Sequence, residues 1–599
     1  MMRGSRQWRP GDRPADTSGA AGSDQGPRIR DRGLHGRIDR RDAAAGAAAL
    51  ALVAVAAAVG GLLYRAGRPV HASSAPFHAL WLPHIGPGTP LAVAVAALVI
   101  WQGPLLLARL SWRGLLLSSY VTSVAWTVGL ALVDGWQRGV AGRLATSHEY
   151  LHEVSGITDV AAMLREFSGR ILDFQPDSWT THVAGHPPGA LLVFVGLDRI
   201  GLGGGGRAAI VCILVGAFAS VAVPETVRLM GGSEQAARAA VPFSALFPGA
   251  VWVGASADGL FAGVAAVGVM LLARGTRSGA VVGGVVLTSA IYLSYGLVLL
   301  APIAVIVCLR RGQWRLVGFA ALGGAAVVLA FTASGFWWFE GYRLVVDRYY
   351  QGVASVRPYA YWVWANLAAL VASAGPVVAV VMRRAMIGLA ASWRELPRPA
   401  RQGSARVGGA VEVAGVPPCV APSAGHAVSA MPALRGHVEP TACAPESAST
   451  AGGARRSEKD PRRGAKPDPA AAGLSRTAES RRFKAQASTV SVGRERTESA
   501  ARTATQNSTG VRVVAFGRML MRQAAEAPAA CLLPLTAGVA ILLADLSGLS
   551  KAETERIWLP FAVWFAAGAS LIPARSRRAW LVAQAATALV VNHLLLTTW

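Results

Sequence analysis

Long apolar runs separated by short polar or basic breaks fill most of this chain. The first, about 44–64 ("AAGAAALALVAVAAAVGGLLY"), is long enough as a helix to cross a bilayer core, which takes roughly 20 residues. A second run at about 89–109 ends at the basic "RLSWR", and a third at about 113–134 ends at Asp134. Basic flanks mark the cytoplasmic side. The N-terminus is therefore expected inside and Asp134 at the outer face.

Residues 135–185 break the pattern and predict a large external loop. The loop is locally acidic, with Glu149, Glu153, Asp159, Glu166, Asp173 and Asp177. Within it "DVAAMLREF" has helical spacing at Val160, Met163, Leu164 and Phe167, the signature of an amphipathic surface helix. The apolar phase resumes at "THVAGHPPGALLVF", where Pro187 and Pro188 suit the first turn of a helix because the missing N–H is not needed there. The fourth span is expected from this motif to "LDRIGLGGGGR", with a tight turn at Gly203–Gly206 before a fifth span at about 207–227. That glycine run lacks both the GxxxxGK[ST] pattern and a preceding strand, so it does not read as a phosphate loop.

Residues 236–256 carry Pro242 and Pro248 and are expected to enter the bilayer only partly, leaving "ASADG" outside. Residues 259–273 then run inward to "ARGTRSG", and 280–308 form a hairpin broken at "YLSYG"; the alternative, full crossings at every segment, places "ARGTRSG" outside. A span at about 315–335 leads to the aromatic and charged "FEGYRLVVDRYYQGVASVRPYAYWVWAN", and about 360–382 returns to a basic flank. Three final spans, about 528–545, 557–573 and 579–597, are separated by "SGLSKAETER" outside and "RSRR" inside, so the C-terminus is external.

The expected fold is an all-α polytopic transmembrane bundle of about eleven to thirteen spans. Its organisation is a disordered basic cytoplasmic tail (1–43), a transmembrane core (44–384) with the external loop 135–185, a disordered basic cytoplasmic insert (385–520) and C-terminal transmembrane helices (521–599). The tail and insert lack apolar periodicity and are rich in Arg, Gly, Ser and Pro. The expected location is the plasma membrane, multi-pass, with membrane lipids as neighbours.

Composition agrees with this pattern. The chain is 53% hydrophobic and only 15% charged, with a mean hydropathy of +0.40. Its net charge of +25 falls mostly beside spans, which the positive-inside rule explains without a nucleic-acid partner. The five cysteines form no CxxC, so neither a disulfide framework nor a zinc knuckle is indicated.

Charges near a bilayer are rare unless used. Asp134 and Glu149 flank the external loop, where a carboxylate can serve as a general base on a hydroxyl or ligate a divalent metal. His186 sits one step before the proline-started helix, able to bind metal, donate to phosphate or bond locally, and His148, His152 and His182 share its loop. Asp258 lies among small residues in an apolar stretch and has to face protein or water. Arg343, Arg348 and Arg357 have the fork geometry for phosphate, and the aromatics around them, Tyr359 included, suit sugar rings or an interface. Lys551, Glu553, Glu555 and Arg556 either complete a site or cap a surface helix.

Taken together, "SHEYLHEV", then "DVAAMLREF", then "GHPPGALLVF", followed by "ASADGLF" and the broken "YLSYG", resemble the GT-C glycosyltransferases. The nearest likeness is to the protein O-mannosyltransferase and aminoarabinose transferase branch, across about residues 112–310. That branch carries an acidic motif, an amphipathic helix and an "[HK]PPL" motif in this order. The resemblance implies transfer of a sugar from a polyprenyl-phosphate donor to a cell-envelope glycan, lipid or protein on the outer face. It implies Glu149 as the base or metal-linked acid, His186 near metal or carrier phosphate, and Asp258 lining the same cavity. "HEY" departs from the usual acidic pair, which leaves Asp134 as a rival catalytic acid, and "HPPG" replaces "HPPL". The competing readings are a lipid-linked-sugar transporter or flippase, and an envelope-assembly scaffold.

Overall fold

A computed structural model describes residues 38–254, 256–310, 314–394 and 528–597. Most of the expected tail and insert lies outside the described residues. Helix α1 already starts at Arg40, inside the expected tail, and α14 (Val377–Arg394) continues past residue 385.

The architecture is helical, as the apolar pattern predicts. Alanine, leucine and valine fill the helices, and short polar residues start several of them. Asp39 caps α1 (Arg40–Arg65) at the N–H of Arg41, and Ser111 caps α3 (Trp112–Ala131) at the N–H of Gly114. With α2 (Thr89–Arg109) these form the N-terminal trio. Next come α4 (Pro188–Leu197), α5 (Gly205–Gly216), α6 (Ala219–Leu229), α7 (Glu234–Ala245) and α8 (Asp258–Ala273). The chain continues through α9 (Arg277–Leu293), α10 (Ala301–Leu309), α11 (Arg315–Ala333), α12 (Trp338–Gln351) and α13 (Tyr359–Ala374). After α14 come α15 (Ala529–Leu546), a helical stretch over residues 559–571, and α16 (Ala574–Leu594). Among the described residues, six helices are long and apolar enough to cross a membrane, or seven if α13 and α14 count as one bent span. The bend between that pair is 101° and falls at Gly375, whose φ of +83° is open to glycine, followed directly by Pro376.

Side-chain contacts sort the connections to two ends of the bundle. At one end, Trp112 Nε1 donates to Glu225, Arg238 to the carbonyls of Leu107 and Leu110, and Arg310 to that of Met230. Arg383 and Arg384 close on the fully buried Asp42, and Arg384 also reaches the Leu571 carbonyl. We call this the arginine end. At the opposite, loop end, a two-stranded sheet pairs β1 (Ala79–Trp81) antiparallel with β2 (Leu595–Thr597), Leu80 opposite Leu596. The long loop after α3 lies beside this sheet, because Arg143 donates to the Thr597 carbonyl.

Two expected segments differ from the sequence reading, and the differences offset each other. The expected fourth span is only the ten-residue α4, about 15 Å at 1.5 Å per residue. The turn after it stays at the loop end, where Arg199 reaches the Thr158 carbonyl at 3.1 Å. The segment expected to enter partly, 236–256, instead runs from the arginine end at Arg238 to the loop end at Asp258. Its break lies between Ala245 and Ala250, beside Pro242 and Pro248. Asp258 therefore reaches the loop end as expected.

Candidate functional site

Four loop-end segments converge on one buried cluster of charges. The first is the turn at Glu149, which continues into the short helix Leu151–Val154. The second is the short helix Thr181–Ala184, joined to the first where the N–H of His182 donates to the His148 carbonyl at 3.0 Å. The third is the start of α8 at Asp258. The fourth is the loop 547–558 between α15 and the following helical stretch.

Arg556 is the hub. Its Nη1 donates to Asp258 Oδ2 at 2.9 Å, and its Nη2 to Glu553 Oε2 at 2.9 Å. The same Nη2 lies 3.3 Å from His182 Nε2. A guanidinium only donates, so Nε2 is an acceptor and the proton of His182 sits on Nδ1. Nδ1 then donates to Glu149 Oε1 at 2.8 Å. Glu149, His182, Arg556 and Asp258 thus form one continuous chain, in which Glu149 is only 1% exposed. Glu149 Oε2 and the Tyr150 hydroxyl are buried without a partner among the described residues.

Arg357 extends the chain. Its Nη1 donates to Glu553 Oε1 at 3.1 Å and to the Lys551 carbonyl at 2.8 Å, and its Nε reaches the His71 carbonyl. Lys551 Nζ donates to the Ala354 carbonyl at 3.0 Å. Glu555 Oε1 accepts from the His78 N–H at 3.2 Å.

The loop that carries Glu553, Glu555 and Arg556 is strained. Ala552 and Glu553 both have left-handed backbones, φ 69° and 61°. Each costs roughly 1–2 kcal/mol in a non-glycine residue, so the surroundings have to impose it. Asn366 on α13 does so from both ends of its amide. Nδ2 donates to Asp545 at 2.8 Å and to the Ser550 carbonyl at 2.6 Å, while Oδ1 accepts from the Ala552 N–H at 3.3 Å.

Burial and neighbouring charges push these groups apart. Burial works to raise Glu553, but Arg556 and Arg357 outweigh it and hold the carboxyl at about 2. Glu555 lacks such an ion pair, so burial, reinforced by Glu553, pushes it up to about 7. Burial lowers His186 to about 4 against the pull of Asp258, leaving the imidazole neutral. Its Nδ1 lies 2.8 Å from the His182 carbonyl, which can only accept, so Nε2 is left as an acceptor.

Of the residues expected at a site, Glu149, Asp258, His186 and Arg357 come together here. Asp134 does not. It bonds His84 Nε2 at 2.7 Å and Arg143 at 3.4 Å, bracing the β1–β2 sheet. Arg343 is exposed on α12, 3.8 Å from Asp347. Arg348 closes on Asp173 at 2.5 Å, and the Tyr359 hydroxyl donates to the Leu546 carbonyl. His182 and Arg556, which join the cluster together, are the residues that sequence reasoning undervalued. Their signal was faint: a histidine four before His186, and a charge-dense turn between apolar runs.

The donor set does not suit a divalent metal ion. Glu149 faces His182 rather than His186, and Asp258 and Glu553 are already covered by Arg556. The described residues hold no group of three or more His, Cys, Asp or Glu arranged to ligate one. Positive charge at the cluster comes from arginine.

The "HPPG" motif has a local explanation. Pro188 opens α4, and Gly189 lies against the end of α9, where a Cβ would collide with the Tyr292 carbonyl. A leucine-sized side chain does not fit there.

An apolar cavity of ≈ 630 Å³ lies between α1, α13 and α16. Leu50, Val53, Val371, Val590 and Leu594 line it, and the segment before β1 closes it with Ser74, Ala75 and Phe77. Its wall residues Leu50, Trp81 and Val590 are themselves more than 45% exposed, so it opens sideways through the bundle wall. Phe77 is the chain neighbour of His78, whose N–H holds Glu555. No family model, curated protein or solved structure matches the chain.

Proposed function

We propose that this protein is an integral membrane glycosyltransferase of the GT-C kind. It moves a sugar from a polyprenyl-phosphate donor to a cell-envelope acceptor at the outer face of the plasma membrane. In this reading the loop end is outside, the arginine end is cytoplasmic, and the shorter helices complete the expected crossings. The supporting observation is the adjacency of two unlike environments. A buried carboxylate–guanidinium cluster lies one residue, His78 to Phe77, from a side-opening apolar groove. A substrate with a long apolar tail and a polar head needs both, and a lipid-borne donor needs no nucleotide-binding fold.

The chemistry follows from the free atoms. Glu149 is oriented by His182 and keeps Oε2 for the acceptor hydroxyl. As the acceptor oxygen bonds to the anomeric carbon, its proton passes to Glu149 Oε2. The bond from that carbon to the phosphate oxygen breaks, and the lipid phosphate leaves with the electron pair. The anomeric carbon gains positive charge on the way, which the carboxylates of Glu149 and Asp258 favour. Arg556 keeps Asp258 ionised and fixed, and His182 holds Glu149 in register.

The test is transfer from polyprenyl-phosphate sugars in isolated membranes. Glu149→Gln and Asp258→Asn are each expected to lower transfer by roughly 10²- to 10⁴-fold, the range for loss of a general base or of fixed electrostatic support. Full transfer by both variants refutes the assignment. In reconstituted vesicles, movement of the lipid-linked sugar across the bilayer with no glycosidic bond formed supports the transporter reading instead.

A further inference from the structure

The break between Ala245 and Ala250 is closed by side chains from two other helices. Trp126 on α3 donates its Nε1–H to the Phe247 carbonyl at 3.1 Å. Gln584 on α16 donates to the carbonyls of Phe243 and Leu246 at 2.8 and 3.0 Å. These carbonyls lie where α7 ends and Pro248 interrupts the chain, and inside a bilayer they need donors from the protein. One polar group of the same turn is not covered. Ser244 is only 7% exposed, and its hydroxyl is buried with no partner among the described residues. Buried hydroxyls elsewhere in the bundle behave differently. Thr127, Thr226 and Thr536 each donate to the carbonyl four residues back on their own helix. Ser244 makes no such bond to Ala240.

Ser244 lines a cavity of ≈ 30 Å³ where α3, α6, α7 and the stretch 559–571 meet. Ser123, Thr127 and Ser220 line it too, and all four residues are buried. Thr127 Oγ1 and Ser220 Oγ donate to the carbonyls of Ser123 and Ala217, so each hydroxyl oxygen keeps lone pairs with which to accept. A water molecule needs about 10–15 Å³ of such space and two to four polar partners. The cavity offers both the room and the hydroxyls. No charged side chain lines it, so a cation would lie there without a counter-charge. The indole N–H groups of Trp558 and Trp564 are also buried without partners among the described residues, but neither tryptophan lines the cavity. We propose that this cavity is a binding site for one ordered water. The water accepts from the Ser244 hydroxyl and donates to Thr127 Oγ1 and Ser220 Oγ. It thereby ties the broken crossing, which leads on to Asp258, to α3 and α6. The site serves the fold whether or not the protein transfers a sugar.

The test starts from an experimental density map of the full-length protein in lipid nanodiscs, at a resolution that shows ordered water. A peak is expected about 2.5–3.0 Å from Ser244 Oγ and from at least one of Thr127 Oγ1 and Ser220 Oγ. An empty cavity, with the Ser244 hydroxyl turned back to the Ala240 carbonyl, overturns the proposal. Thermal melts in the same nanodiscs supply a second measurement. Ser244→Ala and Thr127→Val are each expected to lower the melting temperature by about 1–4 °C, the shift for one lost hydrogen bond in a large domain. Both hydroxyls hold the same water, so the double variant is expected to melt near the lower of the two single variants rather than at their sum. In a dry cavity the Ser244 hydroxyl is only a buried polar group without a partner, and its removal does not destabilise. Additive shifts, or a Ser244→Ala protein that melts at or above the wild type, therefore overturn the proposal. So does a peak that disappears, with a fall in melting temperature, when sodium is replaced by N-methylglucamine, because the occupant is then an ion.

Discussion

Arg556 bears the most strain if it is removed, and its loss can be worked through from the geometry. The buried guanidinium donates to Asp258 and Glu553, both at 2.9 Å, and meets His182 at 3.3 Å. At about 4 Å between charge centres and an effective dielectric of about 20, each ion pair contributes roughly 4 kcal/mol of attraction before desolvation. Arg556→Met preserves much of the side-chain volume but leaves Asp258 and Glu553 buried against one fewer cation. Stranding one partner of a buried pair typically costs about 3–5 kcal/mol, and that is the expected loss. Adding Asp258→Asn removes one stranded charge. The double variant is therefore expected to recover about 1–3 kcal/mol relative to the sum of the single changes. Arg343→Met is the control, because its pair with Asp347 is 3.8 Å long and exposed, and the expected effect is below about 0.5 kcal/mol. Unfolding can be followed with a thiol-reactive dye, since Cys212, Cys308 and Cys531 are buried. Cys419 and Cys443 are first replaced by serine so that only these three report. If Arg556→Met melts with the Arg343→Met control, or if the cycle is additive within about 0.5 kcal/mol, the hub does not exist as described.

Other consequences are open to similar checks. Asp134→Asn should leave transfer within about threefold of wild type while lowering thermal stability, because Asp134 braces His84 and Arg143 rather than the cluster; a loss comparable to that of Glu149→Gln would reinstate it as the catalytic acid. Gly189→Leu, which writes the commoner "HPPL" into the chain, should destabilise by about 1–3 kcal/mol or more through collision with the Tyr292 carbonyl, and an unchanged melting temperature counts against that packing. Ala552→Gly should raise stability by roughly 0.5–1 kcal/mol by relieving a left-handed alanine, unless the added unfolded-state freedom cancels the gain; a clear loss of stability would show that the strain is misplaced. Glu553, held at about 2 by Arg556 and Arg357, contributes stability that is fully present above its ordinary value near 4.5 and is lost as pH falls toward 2. Melting curves of the wild type should therefore show an acid limb that Glu553→Gln flattens.

How much of this was legible in the sequence depends on the range of the interaction that decides it. Helices such as α2 and α3 are set by local apolar length, and their ends fall within a few residues of the apolar runs. The path of α4 is not local. "PPGALLVF" looks like the start of a span, yet the helix lasts ten residues and its end is fixed by Arg199 reaching back to Thr158. No hydropathy window contains that contact. The site behaves in the same way. The order of loop acid, surface helix and "HPPG" pointed to Glu149, His186 and Asp258, which do lie together. It could not show that the hydrogen-bond partner of Glu149 is His182 rather than His186, since the two histidines differ only by one helical turn. Nor could it show that the cation covering Asp258 lies 298 residues further along the chain. "SKAETER" reads locally as a cap, because four charges in a turn between apolar helices ordinarily face water. What distinguishes it is enclosure. Asn366, Arg357 and the segment through His78 close over the loop, so its charges have to be satisfied by one another or by a ligand. Both oxygens of Glu553 are paired, whereas Glu555 Oε2 has no hydrogen-bond partner among the described residues. That asymmetry is invisible in the order of residues.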